Sequence, residues 1–175
     1  MKRRTYTQRR RAEQQEVTRM RIVQATVDLH RELGPASTTF SAVAERAGVQ
    51  RHTVYRHFPD ETSLFAACTR HFLSTHPPPD PSTWPDARQG LGELYAYYAA
   101  NRQMIGSVLR DSEVKAVGTG FKSLQAAAAQ ALTPPDANPA ERAFLRLATS
   151  FRGWQGLELR PEEAAELMTR ILECL

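Results

Sequence analysis

Residues 38–58 carry a helix-turn-helix pattern, which constrains the fold of this chain more than any other part of the sequence. Ala44 is small enough to let a second helix cross closely over the first, and Gly48 lies four residues later, where a sharp turn needs positive φ. Thr39 can cap the first helix through its hydroxyl. The apolar residues that hold the two helices together recur at helical spacing, at Val43, Ala47, Val49 and Val54. The pattern predicts two short helices that meet at a tight turn.

The second of these helices is rich in polar, basic and aromatic side chains, namely Gln50, Arg51, His52, Thr53, Tyr55, Arg56 and His57. Arginine and glutamine can make paired hydrogen bonds to purine edges, threonine can touch a thymine methyl group, and tyrosine can reach a phosphate. This set predicts a helix that enters the major groove of double-stranded DNA.

The distribution of charge agrees with a polyanionic partner. Through Asp60, twelve Lys and Arg residues face six Asp and Glu residues, whereas from Glu61 onward eleven basic residues face thirteen acidic ones. The basic excess therefore lies in the same part of the chain as the helix-turn-helix. Within that part, six basic residues form an N-terminal arm: Lys2, Arg3, Arg4, Arg9, Arg10 and Arg11. The arm is either a solvated flexible tail or a segment that lies along phosphates or in a minor groove.

An ordered set of motifs resembles the signature of bacterial transcriptional regulators of the TetR/AcrR type: Thr38-Thr39-Phe40, Val43-Ala44, Ala47-Gly48-Val49, Thr53-Val54-Tyr55 and His57-Phe58-Pro59. The resemblance covers roughly residues 18–68, and the rest of the chain shares only helical character and length. It implies an all-α fold, in which a three-helix DNA-binding domain precedes a helical C-terminal domain.

The resemblance also implies roles for single residues. Thr39 and Tyr55 would contact phosphates, His57 would lie near the DNA backbone, and Ser41 would face the DNA. The residues that would contact base edges are Arg51, His52 and Thr53.

Two positions depart from the family pattern. Gln50 stands where a small hydroxyl residue often begins the recognition helix, which weakens the cap while adding a base reader. Glu61 stands where a lysine usually pins a phosphate, and a carboxylate there should repel the DNA backbone or lie away from it.

Proline-rich segments divide the chain. We expect a flexible basic arm over residues 1–12, a helix-turn-helix domain over 13–58 and a connecting fourth helix over 59–76. A proline-rich junction over 77–85 then leads to a helical ligand-binding and dimerisation domain over 86–175. Helices of that domain are expected near 86–101, 102–111, 113–132, 140–156 and 162–174, and Gly118-Thr119-Gly120 is expected to be a weak point within the third.

By resemblance, the C-terminal domain should bind an unidentified small-molecule effector and pair with a second copy through its last two helices. Candidate pocket residues are mostly aromatic: Tyr95, Tyr98, Asn101, Met104, Phe121, Phe144 and Trp154. Trp84 and Tyr97 are weaker candidates. Candidate dimer residues are apolar or small: Leu145, Ala148, Thr149, Arg152, Gly153, Ala164, Leu167, Met168 and Ile171. Residues of both sets can equally serve as core of their own subunit.

Other classes of protein fit the sequence less well. Cys68 and His71 with His76 are the nearest group to a metal site, but a fourth ligand is not evident, so we expect no metal, no cofactor, no catalytic residue and no enzymatic activity. No apolar run is long enough for a membrane span and no signal peptide follows the basic N-terminus, so we expect a cytoplasmic protein without a membrane partner. The open alternatives are a helical protein-interaction module and a non-specific DNA-binding protein without ligand response. Within the regulator class, the sequence leaves repression and activation open, and a near-palindromic operator is expected for a dimer.

Overall fold

A computed structural model describes residues 2–112 and 117–175, with side chains from residue 8 onward. The described residues form ten α-helices and two short 3₁₀ helices, without a strand, which confirms the all-α prediction. The α-helices are α1 (Lys2–Glu32), α2 (Phe40–Ala47), α3 (Arg51–His57), α4 (Glu61–Thr75), α5 (Ala87–Ala100), α6 (Arg102–Arg110), α7 (Thr119–Leu132), α8 (Pro139–Ala148), α9 (Phe151–Leu157) and α10 (Pro161–Leu172). The 3₁₀ helices span Pro35–Ser37 and Pro81–Thr83.

The chain folds as two compact units, Met1–Pro77 and Pro78–Leu175. Helix α4 therefore belongs to the same unit as the helix-turn-helix, and the boundary falls at the start of the proline-rich segment. In the first unit, α1 packs against both α2 and α4. Its core is apolar and contains Ile22, Val23, Leu29, Val43, Ala47, Val54, Phe58 and Leu64.

Helix α1 begins earlier than the sequence analysis expects. It starts at Lys2 rather than near Glu13, so residues 2–12 of the expected flexible arm are helical, and Met1 lies outside the described residues. Residues 2–16 contain neither proline nor glycine and are rich in Arg, Gln and Glu, which favour helix. Arg9 also pairs with Glu13 one turn later, at 3.2 Å between Nε and Oε1. Arg9, Arg10 and Arg11 are exposed on this helix.

In the second unit, α10 lies along α5, and α8 contacts α7, α9 and α10. The largest fully buried side chains of this unit include Tyr95, Tyr98 and Phe151, together with Leu91, Leu94, Ile105 and Leu145. Aromatic residues thus make up much of the core of this unit.

The expected helix over 140–156 is instead two helices, and this prediction is wrong. Helix α8 ends at Ala148 and α9 begins at Phe151. Ser150 caps α9 by accepting a hydrogen bond from the backbone N–H of Gly153 at 2.9 Å. Thr149 donates its hydroxyl to the Leu145 carbonyl at 2.8 Å, which occupies an acceptor at the end of α8.

The expected helix over 113–132 is shorter in the described residues. Helix α7 begins at Thr119, and residues 113–116 lie outside the described part of the chain. Gly118 has φ of 80° and precedes the first residue of α7. The Gly118-Thr119-Gly120 segment is therefore the start of a helix rather than a weak point inside one, because a left-handed residue cannot continue a right-handed helix.

Five of the nine candidate dimer residues are buried in the second unit itself: Leu145, Ala148, Thr149, Ala164 and Met168. They cover the core of their own subunit, which corrects their assignment to an intersubunit face. Leu167 and Ile171 are exposed, each to 38%. Among the described residues, no helix combines the length and the apolar character needed to cross a membrane.

Candidate nucleic-acid interface

The turn between α2 and α3 has the geometry that its sequence predicts. Thr39 accepts a hydrogen bond from the backbone N–H of Ala42 at 3.2 Å and so caps α2. Gly48 ends α2 with φ of 63°, and the N–H of Val49 reaches back to the Ala44 carbonyl at 2.9 Å. These local bonds fix the angle at which α3 leaves α2.

Arg21 supports the same turn from α1, which the sequence analysis does not foresee. Its Nη2 donates to the Ala47 carbonyl at 2.5 Å, where the end of α2 leaves carbonyl groups unpaired within the helix. A Cβ at Gly48 would lie 3.0 Å from this same Nη2. No local signal links Arg21 to the turn, because 26 residues separate Arg21 from Ala47.

Helix α3 is divided into a buried side and an exposed side. Val54 is fully buried, as its place in the apolar pattern predicts, and Phe58, which follows the helix, is 2% exposed, so both belong to the core. The exposed residues of the candidate set are Gln50, Arg51, His52, Tyr55 and Arg56, while Thr53 and His57 are half-buried. The polar, basic and aromatic side chains therefore share one accessible surface, which we call the α3 face.

Tyr55 and Arg51 are held in contact on the α3 face. The Tyr55 ring packs against Phe40 of α2, with 4.6 Å between ring centroids. The Arg51 guanidinium lies 5.5 Å from the Tyr55 ring centroid, and Arg51 Nη2 donates to the Tyr55 hydroxyl at 3.2 Å. A buried aromatic residue of α2 thus positions a tyrosine, and the tyrosine in turn positions an arginine.

Gln50 takes the cap position of α3 without making a side-chain capping bond. Its backbone carbonyl accepts from the Thr53 N–H at 2.8 Å, while its side chain is exposed. The prediction of a weakened cap at this position is confirmed. Thr39 and Ser41 are exposed at the start of α2. The Thr39 hydroxyl accepts within the cap and keeps its proton available for a phosphate.

His57 lies at the edge of the α3 face in a basic setting. Burial lowers the pKa of His57 below its ordinary value of 6.5, the guanidinium groups of Arg56 and Arg19 lower this pKa further, and Glu16 opposes them. Its Nε2 is buried and has no hydrogen-bond partner among the described residues. Arg19 also lies over the Phe58 ring, 5.2 Å from its centroid. Arg19 is a second basic residue of α1 beside the α3 face that the sequence analysis misses.

The start of α4 carries negative charge. Asp60 caps this helix by accepting from the Ser63 N–H at 2.7 Å, and Glu61 is exposed in the first turn. An acidic residue here is favourable for the helix, because the N-terminus of a helix carries partial positive charge. The same position is unfavourable for a nearby phosphate.

The metal-like group of the sequence is not assembled. Cys68 Sγ lies 3.5 Å from Nδ1 of His30, whereas His71 Nε2 lies 3.0 Å from the Gln24 side-chain oxygen. Burial raises the pKa of Cys68 to about 12, which keeps this thiol protonated. Among the described residues, no three His, Cys, Asp or Glu side chains are grouped so that they could hold a metal ion.

Three candidate pocket residues, Tyr95, Tyr98 and Trp154, form a packed aromatic cluster with Phe151. The ring centroids in its five contacting pairs are 5.4 to 6.4 Å apart. The Tyr95 hydroxyl donates to the Ala148 carbonyl at 2.8 Å, and the Tyr98 hydroxyl donates to the Thr149 carbonyl at 2.7 Å. These two bonds attach α5 to the junction between α8 and α9. The two tyrosines therefore have a structural role, and their contact with a ligand stays a prediction.

The other candidate pocket residues differ in exposure. Asn101 is buried and donates its amide to the Tyr97 carbonyl at 2.9 Å. Met104 and Phe121 are buried, and Phe144 is half-buried. Trp154 borders a surface groove together with Arg102. The predicted set is thus only partly brought together.

Comparisons with known proteins agree with this geometry. The family model described as bacterial regulatory proteins, tetR family, matches residues 22–68, which include all of α2 and α3. A TetR-like transcriptional regulator from Rhodococcus sp. RHA1 has a similar structure, with a TM-score of 0.57 and 18% sequence identity over 89% of this chain and 93% of that one. A tetR-family transcriptional regulator from Streptomyces coelicolor has a TM-score of 0.54 and 22% identity over 90% of this chain and 78% of that one. No curated protein matches the chain.

Proposed function

Because residues 22–68 match the family model of bacterial regulatory proteins, tetR family, we propose that the chain is a homodimeric repressor that a small molecule releases from a near-palindromic operator. The observation that carries the proposal is the α3 face. Arg51, Tyr55 and Arg56 are exposed on α3, whereas Val54 of the same helix is buried. Such a helix can enter a major groove without loss of core packing.

We assign base contacts to Arg51, His52 and Thr53, with Gln50 as an additional reader at the helix start. Phosphate contacts are assigned to Thr39, Ser41, Tyr55, Arg56 and His57. The exposed arginines of α1 add sequence-independent attraction, because they carry positive charge in the same unit. A regulator that reads bacterial DNA would act in the cytoplasm. Since tetR-family regulators are generally non-enzymatic, we propose no catalytic activity.

We propose that the dimer forms through an apolar stripe on α10 and the chain end beyond it. Leu167, Ile171 and Leu175 recur every four residues and are 38%, 38% and 49% exposed. Leu147 of α8 is 56% exposed and belongs to the same unit. Exposed apolar residues that form a patch commonly mark an interaction site. A second copy would cover them and place two α3 helices about 34–36 Å apart on the DNA.

Release of the protein from its operator by a ligand requires that the ligand prefer one conformation of the dimer. Such a ligand would favour a spacing of the two α3 helices that no longer fits the operator, so the two sites would be coupled. A repressor that binds DNA without ligand and an activator that binds DNA with ligand differ in the sign of this coupling. We propose repression as the commoner mode of the resembled family.

The dimer is tested by Leu167→Glu, with Ala126→Glu on an exposed position of α7 as a control of equal charge change. Sedimentation velocity should give a dimer for the native chain and for Ala126→Glu, and a monomer for Leu167→Glu. The monomer should also bind a near-palindromic operator at least tenfold more weakly. A native chain that sediments as a monomer while it binds DNA would contradict the proposed dimer.

A further inference from the structure

An open groove lies on the second unit beside α9. It is lined by Arg102, Trp154, Gln155, Glu158, Leu159 and Arg160, and we call it the α9 groove. Its volume is about 410 Å³. This is within the usual range of small-molecule sites, roughly 300–1,000 Å³. The groove combines an aromatic ring, an aliphatic side chain and two guanidinium groups.

Trp154 is the residue that points to a ligand. It is 96% buried, yet its indole Nε1–H has no hydrogen-bond partner among the described residues. Trp84, by contrast, donates its indole N–H to the Glu93 carboxylate at 2.9 Å. A buried donor without an acceptor is unfavourable, because it has lost its hydrogen bond to water and has formed no other. An acceptor that reaches this nitrogen from the groove would remove that cost.

Arg102 lies over the indole of Trp154. Its guanidinium lies 5.8 Å from the centroid of the Trp154 ring, and it is an exposed residue at the start of α6. The described residues offer it no carboxylate partner within salt-bridge distance. Because Nε1 is closed to solvent, a neighbouring side chain must move before an acceptor can reach it. We take Arg102 as that side chain, since its guanidinium lies over the indole ring.

Arg102 is the group of the α9 groove that can hold an anion. Arg102 and Arg160 are the two cations, and Glu158 is the acidic residue of the lining. Arg160 Nη2 is paired with Glu163 Oε1 at 2.5 Å, so Arg102 is the main anchor for an anion. A guanidinium binds a carboxylate with two parallel hydrogen bonds, which a neutral amide cannot reproduce. Trp154 and Leu159 supply apolar surface for the remainder of such a ligand.

The backbone at the groove is strained. Glu158 has φ of 54°, and it is the one residue other than glycine with positive φ in the described part of the chain. This conformation is unfavourable for a residue with a Cβ.

We propose that the α9 groove binds a hydrophobic monocarboxylate, with the carboxylate held by Arg102 and by the indole N–H of Trp154 and the apolar body against Leu159. The proposal rests on the proposed function for its biological meaning, since it makes the α9 groove the effector site. Binding itself does not require DNA, so the two proposals can fail separately.

The test follows the two indole N–H signals of the ¹⁵N-labelled full-length protein by NMR. The probes are 1-naphthaleneacetate and decanoate, each compared with its neutral amide. Both carboxylates should shift the Trp154 signal downfield, as expected when an indole N–H gains an acceptor, and should leave the Trp84 signal in place. The amides should bind at least tenfold more weakly.

Variants show whether the α9 groove is responsible. Arg102→Gln should weaken the carboxylates at least tenfold, whereas Arg88→Gln, the same change at an exposed arginine of α5, should not alter binding. Arg102 is exposed, so this variant leaves the packed core intact, and Trp154→Phe assigns the signal. The proposal is overturned if neither carboxylate moves the Trp154 signal, or if Arg102→Gln and Arg88→Gln behave alike.

DNA binding is measured separately on the same samples. Carboxylate binding that also releases the operator supports both proposals. If a carboxylate binds and the affinity for the operator is unchanged, the α9 groove is supported as a binding site. The proposed release of the operator by a ligand is then contradicted.

Discussion

Arg51 and Tyr55 form a pair on the accessible side of α3, in which the arginine Nη2 donates to the tyrosine hydroxyl at 3.2 Å and its guanidinium lies 5.5 Å from the ring. The pair is anchored by Phe40 beneath the tyrosine ring. An arginine restrained in this way loses less conformational freedom when it binds a base, because part of that freedom is already lost in the free protein. The pair would therefore combine the proposed base contact of Arg51 with the proposed phosphate contact of Tyr55.

Replacement of Arg51 should relax sequence preference at one base pair. We expect Arg51→Ala to lose about 1–3 kcal/mol of discrimination at that position, because a paired contact to a purine edge is removed. The measurement is the affinity for a selected operator and for its single-base-pair variants. Tyr55→Phe serves as a comparison that keeps the ring. It should weaken binding to all DNA sequences about equally. If Arg51→Ala instead weakened binding to every DNA sequence equally, Arg51 would be a phosphate contact.

Glu61→Lys should strengthen DNA binding and steepen its dependence on salt by about one counterion per subunit. The reason is that an exposed carboxylate in the first turn of α4 is replaced by a cation at the place of the usual phosphate contact. The same change should cost the helix a few tenths of a kcal/mol, because it removes a favourable charge from a helix N-terminus. Glu173→Lys, an equal charge change beyond the end of α10, is the control. An unchanged salt slope would place Glu61 away from the DNA.

The junction between α8 and α9 should be sensitive to a single methyl group. A Cβ at Gly153 would lie 2.2 Å from the Leu147 carbonyl oxygen, whereas a Cβ at Gly156 on the same helix meets nothing within 4 Å. We expect Gly153→Ala to lower the free energy of unfolding by roughly 1–3 kcal/mol. Gly156→Ala should leave it unchanged or raise it by up to about 1 kcal/mol, because alanine favours helix. Chemical denaturation of the two variants measures both, and equal effects would contradict the close approach at Gly153.

His57 should make stability depend on pH below neutrality. Its pKa is lowered in the folded state, first by burial and then by Arg56 and Arg19, so between its folded pKa and 6.5 the unfolded chain binds more protons. Stability from this residue is thus fully present above 6.5 and falls as the pH drops towards the folded pKa. The difference in unfolding free energy between the native chain and His57→Gln should change across this window and be flat above it. A difference that is constant from about pH 5 to 7.5 would contradict the lowered pKa.

Local signals predicted the helix-turn-helix well. The Thr39 and Asp60 caps, the positive φ at Gly48 and the burial of Val54 and Phe58 all follow from residues within a few positions of each other. The fold class and the exposed α3 face could therefore be predicted from the sequence.

Features that depend on distant or competing contacts were not predicted. Arg21 reaches Ala47 across 26 residues, so nothing near Arg21 indicates its role. The break between α8 and α9 depends on the Ser150 cap and on the close approach at Gly153, in a segment whose other residues mostly favour helix. The aromatic residues of α5 have the same spacing as core and as pocket lining, and only their hydroxyl bonds to Ala148 and Thr149 establish the structural role. Exposure likewise separates the candidate dimer residues, because Leu167 and Met168 differ only in which side of α10 they occupy.

The central claim is that the α3 face reads a specific DNA sequence as part of a dimer. The most direct test is selection of binding sites by the purified full-length protein from random duplex DNA at physiological salt. We expect enrichment of a near-palindrome whose half-sites lie about one helical turn or a multiple of it apart. Folded protein that binds DNA but enriches no sequence would contradict the claim and make the chain a non-specific DNA-binding protein.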